Sequence, residues 1–142
     1  MKSILLMVAV LILTASLADA GLKSEAEIRK HADSILEKVV KNKLKEAFDL
    51  SKQNWPIPAE EIDNLRYQTE TQLKSVSSRF GKMLSKEFIL EEKIGNSFVR
   101  YQYIVKFEKH AIRWMFIFYK PKSEWILNHM SWDDSIQLLF KK

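Results

Sequence analysis

The chain contains no cysteine. That removes disulfides, thiolate nucleophiles and cysteine-based zinc or iron–sulfur sites. Glycine and proline occur three times each, too few for a flexible linker, and no glycine-rich loop of the kind that cradles phosphate is present. Histidine also occurs only three times. No two histidines have the spacing of helical metal ligands, and no H-E-x-x-H arrangement exists, so neither a metal nor any other cofactor is expected. What remains is the composition of one folded domain. Of 142 residues, 46% are hydrophobic and 29% charged, with a formal net charge of +5, which excludes a disordered tail and a large multidomain enzyme.

The one long apolar run lies at the start. Met1, Lys2 and Ser3 form a short basic opening, residues 4–13 are almost all apolar, and residues 15–17 nearly continue the run. Ala18-Asp19-Ala20 then places small residues at the two positions a signal peptidase reads. The run is short for a membrane span of roughly 20 residues. The sequence therefore predicts a Sec-type signal peptide over 1–20, cleaved after Ala20, and a single domain over 21–142 that is secreted or periplasmic. An uncleaved membrane anchor is the competing reading. No stable anchor is expected after cleavage, and the absence of cysteine excludes a lipid-modified one. A cysteine-free exported chain has to rely on its core, which suits a bacterial periplasm or exterior better than a disulfide-dense eukaryotic module.

The domain reads as helices followed by strands. Ser24-Glu25-Ala26-Glu27 has the form of a capping box. Behind it Ile28, Ala32, Ile35, Leu36, Val39 and Val40 recur at helical spacing. Leu44, Ala47, Phe48 and Leu50 form a second apolar set, either a continuation or a separate short helix after a kink. Asn54-Trp55-Pro56-Ile57-Pro58 stops helix, because proline lacks an N–H and disfavours α at the residue before it. Pro58 or Ala59 opens the next helix, with Glu60 and Glu61 at its positive end and Ile62, Leu65, Thr69, Leu73, Val76 and Phe80 along one face. Gly81 is placed to end it. From there β-branched and aromatic residues predict strands over 88–92, 98–108, 112–119 and 125–132, joined by hairpin-sized turns. In the second strand Val99, Tyr101, Tyr103, Val105 and Phe107 share a face. The third is apolar on both faces, so it is expected to be central and covered on both sides. The fold class expected is α+β, with N-terminal helices packed on a four- to five-stranded antiparallel sheet.

This layout resembles the nuclear transport factor two-like superfamily. The resemblance covers most of the chain after the leader. It rests on the helix ending Phe80-Gly81-Lys82, on the strand pair Ser97-Phe98-Val99-Arg100-Tyr101 and Trp114-Met115-Phe116-Ile117-Phe118-Tyr119, and on Glu124-Trp125-Ile126-Leu127 followed by Asp133-Asp134. It implies a curved, cone-like sheet that encloses a pocket. It does not imply an activity, because the superfamily includes isomerases, cyclases, dehydratases and domains without catalysis. A steroid-isomerase-like site needs a carboxylate base with oxyanion donors, and a dehydratase-like site needs a His–Asp pair. Neither constellation falls on matching positions. A cystatin-like inhibitor is disfavoured, since Gln102-Tyr103-Ile104-Val105-Lys106 lies mid-strand and lacks the glycine of that family's Q-x-V-x-G loop.

Several residues remain as site candidates. Tyr101, Tyr103, Trp114, Phe116 and Phe118 read either as pocket walls or as plain core. His129 shares its predicted strand face with Trp125, Leu127 and Ser131, which would make it half-buried and a pocket residue beside Tyr101, Tyr103, Trp114 and Phe116. The bland reading of His129 is a hydrogen-bonded structural histidine. His31 is expected to be solvated or partly packed in the first helix, and His110 exposed in a turn. Asp133 and Asp134 point to opposite faces of a strand and read as a cap or turn rather than a catalytic pair. Arg100 and Arg113 share a sheet face with Gln102 and Asn128; that face reads as a solvent face on which they pair with Glu108 or Glu91, with a bidentate hold on an anionic ligand as the alternative if the face is the concave one. The lysines over 38–45 read as a solvated helix face, with contact to anionic lipid as the alternative. The scattered positive charge and the leader argue against nucleic acid.

The reading at this level is a non-catalytic module that binds a small apolar ligand or a protein partner, with a homodimer through the sheet as one form of partnership. The alternative is an isomerase-, cyclase- or dehydratase-type enzyme. The first expectation concerns processing: N-terminal sequencing of exported material should begin at Gly21, and a membrane-embedded product that retains residues 1–20 would overturn it.

Overall fold

The computed structural model describes residues 21–140, so the leader predicted over 1–20 lies outside the described residues. Helices α1 (Glu25–Val40), α2 (Leu44–Lys52) and α3 (Ala59–Phe80) precede strands β1 (Met83–Ile94), β2 (Phe98–Phe107), β3 (Ala111–Tyr119) and β4 (Ile126–Asp133), and a short 3-10 helix (Ile136–Leu139) follows. The strands form one open antiparallel sheet in the order β1-β2-β3-β4. The chain is thus α+β, with helices before strands and four strands in the sheet. Among the described residues no helix is long and apolar enough to cross a membrane.

The Ser24 side chain caps α1 by accepting from the Glu27 amide at 3.1 Å. The return arm of the expected box is displaced by one residue: Glu27 accepts from the Lys23 amide at 2.6 Å. Ile28, Ala32, Ile35, Leu36 and Val39 of α1 are buried, as the helical spacing requires. Asn42 adopts φ 60 and breaks the chain between α1 and α2, which settles the choice between a continuing helix and a kink. Asn is among the few residues that tolerate this left-handed conformation. At the end of α3, Gly81 has φ 85, and a Cβ there would lie 3.0 Å from the Cβ of Glu108. Both the dihedral and the close approach call for glycine.

The helices cover one face of the sheet. Val99, Tyr101, Tyr103, Val105 and Phe107 of β2 and Ile112, Trp114, Phe116 and Phe118 of β3 are buried on that inner face. Register places Tyr101 opposite Phe116 and Tyr103 opposite Trp114. The rings meet edge to face, with centroids 5.8 Å apart for Tyr103 and Phe116 and 6.0 Å for Tyr101 and Phe118. Such pairs contribute about 0.5–1.5 kcal/mol beyond the area they bury.

Three expectations change. β1 is much longer than 88–92, because its charged start pairs with the full length of β2, Lys86 opposite Val105 and Glu87 opposite Ile104. Pairing with a neighbour overrides the weak strand preference of Lys and Glu. β3 lies inside the sheet but is not covered on both sides: the helices close its inner face, whereas Met115, Ile117 and Tyr119 on the outer face are only half-buried. Finally, His31 is not solvated. It lies on the buried face of α1, 9% exposed, with its ring edge against Phe118 at 6.4 Å.

The His31 Nε2 has no hydrogen-bond partner, and burial holds the imidazole pKa below its usual value. The folded chain therefore resists a proton that the unfolded chain takes up near pH ~6.5. Stability is full above that pH and falls as pH drops from the unfolded value toward the folded one. The urea midpoint should fall more between pH 7.5 and 5 for the native chain than for His31→Phe; parallel profiles would refute this.

Candidate functional site

The structure separates the predicted site residues. Tyr101, Tyr103 and Phe116 are closed into the core, each no more than 1% exposed. The Tyr101 hydroxyl donates to the Glu25 carbonyl at 3.3 Å, and the Tyr103 hydroxyl donates to the Asp33 carboxylate. Burial is the main cause that raises both phenol pKa values, and the Asp33 carboxylate adds to it at Tyr103. Arg29 also binds Asp33, Nε to Oδ1 at 3.3 Å, and lies 3.4 Å above the Phe88 ring. This cluster ties α1 to β1 and β2.

His129 is on the other face of the sheet. An extra residue in β4, Asn128, falls between the pairs Ile117–His129 and Phe118–Leu127. Such a bulge reverses the alternation beyond it. Leu127 therefore points inward with Trp125, and Met130 takes the next buried position. His129 is exposed, its Nε2 2.8 Å from the Ser131 Oγ. The expected half-buried setting required strict period-two alternation, which the bulge breaks. His110 is exposed as expected, with its ring 4.3 Å from that of Phe80.

Trp114 is one wall of a cleft. A cleft of about 170 Å³ lies where α2 and α3 meet the β3–β4 side of the sheet. Phe48 of α2 and Trp55 of the following linker form one side. Leu65, Gln68, Thr69 and Gln72 present a single stripe of α3 to it, since residues three and four apart share a helix face. Trp114, Met130, Ser131 and Trp132 close the sheet side. The Trp114 and Trp132 rings stack at 6.3 Å with 16° between their planes. Trp114 is 1% exposed, and its indole Nε1 has no hydrogen-bond partner. An unmet buried donor costs about 1–3 kcal/mol. No acidic, basic or histidine side chain lines this cleft.

Sequence reasoning missed Trp55, Gln68, Gln72 and Trp132. Trp55 was visible only as part of a helix stop. Trp132 was hidden by the same bulge that misplaced His129.

The outer face carries charge, but that charge is already paired. Glu92 accepts from Arg100 Nε at 2.8 Å and Nη2 at 2.7 Å, and from Gln102 Nε2 at 2.7 Å. Gln102 Oε1 accepts from Arg113 Nη1 at 3.1 Å. Arg113 then donates to Asp133 through Nε at 3.1 Å and Nη2 at 2.6 Å. The ladder crosses all four strands. The partner of Arg100 is Glu92 rather than Glu108 or Glu91, because a bulge at Ile89 shifts the register so that Glu92 pairs with Arg100 and Glu91 with Tyr101. Glu108 instead accepts from the Lys82 amide at 2.9 Å. A larger cleft of about 360 Å³ beside Arg100 is thus lined by a guanidinium that Glu92 already neutralises. Asp133 ends β4 and accepts from the Ser135 amide at 2.9 Å, the turn role expected of it. The Arg113 guanidinium holds the Asp133 carboxyl below the usual carboxylate range.

Compared with known proteins, the chain matches no family model, no curated protein and no solved structure.

Asp133→Ala strands the guanidinium of Arg113, which is 9% exposed, so it should lower the denaturation midpoint clearly. His129→Ala removes one exposed contact and should stay within about 0.5 kcal/mol of the native chain. Equal effects in urea titrations would refute the ladder's role.

Proposed function

We propose that the chain is an exported, non-catalytic binding module of the nuclear transport factor two-like type, which takes a small molecule between α2, α3 and the β3–β4 side of the sheet. One observation carries this reading: the cleft has aromatic walls in Phe48, Trp55, Trp114 and Trp132, and no titratable side chain lines it. Binding sites are typically apolar with a few placed polar groups. A general acid or base must stand within hydrogen-bond reach of the reacting atom. Gln, Thr, Ser, Trp and Met supply none near neutral pH. The order of helices followed by an antiparallel meander supports the superfamily, and the leader-like segment supports export. Tyr101, Tyr103 and Phe116 serve the site indirectly, by fixing the sheet against α1 behind Trp114.

Ligand-observed NMR tests this reading against its enzymatic alternative. A panel of neutral one-ring compounds should include members whose signals broaden with the native protein and sharpen again with Trp132→Ala. No new product signals should grow with time. Product formation at a catalytic rate would favour the enzyme, and a panel with no binder would overturn the proposed site.

A further inference from the structure

We infer that Glu124 receives the α-amino group that cleavage after Ala20 creates on Gly21, so that an ion pair found only in the processed chain fastens the N-terminus beside the start of β4. The inference rests on the export reading within the proposed function, and the ligand cleft plays no part in it.

The chain just after the expected cut is held in place. The Leu22 carbonyl accepts from the Trp125 amide at 2.7 Å, and the Leu22 side chain packs against the core. Lys23 and Ser24 then run into the cap of α1. Gly21 therefore stands one residue ahead of a fixed point, beside Glu124, which stands one residue ahead of Trp125. A Cβ built on Gly21 would lie 2.0 Å from the Glu124 Oε2 and 2.6 Å from its Oε1. The carboxylate thus rests against the Gly21 Cα, in space that any other residue would fill with its side chain. Cβ and N are both bonded to Cα and lie about 2.5 Å apart, so the Gly21 nitrogen is at most about 4.5 Å from that Oε2. An open cleft of about 280 Å³ adjoins Gly21, with residues 52–56 on one side and Glu124, Trp125 and Ile126 on the other, and leaves an amine room to turn toward the carboxylate.

Glu124 is half-buried and makes no hydrogen bond or ion pair with another described residue. The charged groups on neighbouring elements are engaged elsewhere. The Lys52 ammonium at the end of α2 is 2.6 Å from Asp63, Glu25 at the start of α1 is 2.8 Å from Lys93, and the Lys120 ammonium after β3 lies 5.1 Å from the centre of the Trp125 ring. Hydrolysis of the Ala20–Gly21 peptide bond consumes one water. It leaves a carboxylate on Ala20 and, near neutral pH, an ammonium on Gly21 where the uncut chain has a neutral amide. A nearby carboxylate favours the charged form of an amine, so the Gly21 amine should titrate above its ordinary range of about 7.7–8.0. A group whose folded pKa is raised stabilises fully below its ordinary pKa, and that gain is lost as pH rises through the raised one. The uncut chain has no such gain at any pH.

The exported protein is purified with its glycines carrying carbon-13 at Cα, and its intact mass is measured. The chain has three glycines, and only a terminal one has an amine whose titration moves its Cα signal. The Gly21 signal should titrate about 0.5 pH unit higher in the native chain than in Glu124→Gln, the size expected of an exposed ion pair. The urea midpoint of the native chain should exceed that of Glu124→Gln at pH 7, and the gap should close by pH 10. In a chain made with residues 15–20 ahead of Gly21 the amine lies several residues away, and there Glu124→Gln should leave the midpoint unchanged. Equal titration of Gly21 in the native chain and in Glu124→Gln, or an equal loss of stability with and without residues 15–20, would mean that Glu124 serves packing alone. Either result would overturn the inference and leave the export reading intact. An exported product whose mass includes residues before Gly21 would overturn both.

Discussion

The contact on which the rest of the structure depends is the apolar face of α1 against the aromatic stripe of β2 and β3. Ile28, Ala32, Ile35, Leu36 and Val39 meet a sheet face built from Tyr101, Tyr103, Phe116 and Phe118. The chain has no disulfide to supplement that contact. These rings occupy the space between helix and sheet. The cleft lies toward β4, where α2, the linker and α3 replace α1 as the cover. The site's position thus follows from where the large core side chains run out.

The two faces of the sheet handle polar groups differently. On the inner face the phenol hydroxyls reach the edges of α1, where a backbone carbonyl and Asp33 accept from them. On the outer face Gln102 and Arg113 are buried but fully engaged in a ladder from Glu92 to Asp133. Buried polar groups are tolerated when they are paired. Against that background Trp114 Nε1 and His31 Nε2 stand out as the buried side-chain atoms without partners among the described residues. They differ in setting: Trp114 lines a cleft, whereas His31 packs against the Phe118 ring.

Much of the fold was legible because periodicity reports burial directly. The helical face of α1, the stop at Asn54-Trp55-Pro56 and the alternation in β2 all appear in the structure where the residues place them. Two of the misplaced parts, the partner of Arg100 and the face of His129, share one cause. A bulge is a single inserted residue with no composition signal of its own, and it inverts every side chain beyond it. Ile89 in β1 moved the partner of Arg100 from Glu91 to Glu92, and Asn128 in β4 turned His129 outward and brought Met130 and Trp132 inward. The cleft escaped a linear reading for a further reason. It is assembled from five segments distant in the chain, and only Trp114 among its aromatic walls lies on a strand whose alternation is unbroken.

The bulges of β1 also bear on how the chain behaves at high concentration. β1 is a sheet edge twelve residues long, and a long, regular edge is a template on which another strand can add. Here the inserted residues are Leu84 and Ile89, two of the three exposed large apolar side chains of the strand, the third being Ile94 at its end. Each interruption limits the uninterrupted edge to a short stretch, and Lys86, Glu87, Glu91 and Lys93 place charge along it. At the opposite side, the Asn54 carbonyl accepts from the Leu127 amide at 2.7 Å, and Leu22 bridges to Trp125, so the start of β4 is already occupied. The β1 irregularities that obscure the sequence pattern therefore also shorten the regular edge on which another strand can add.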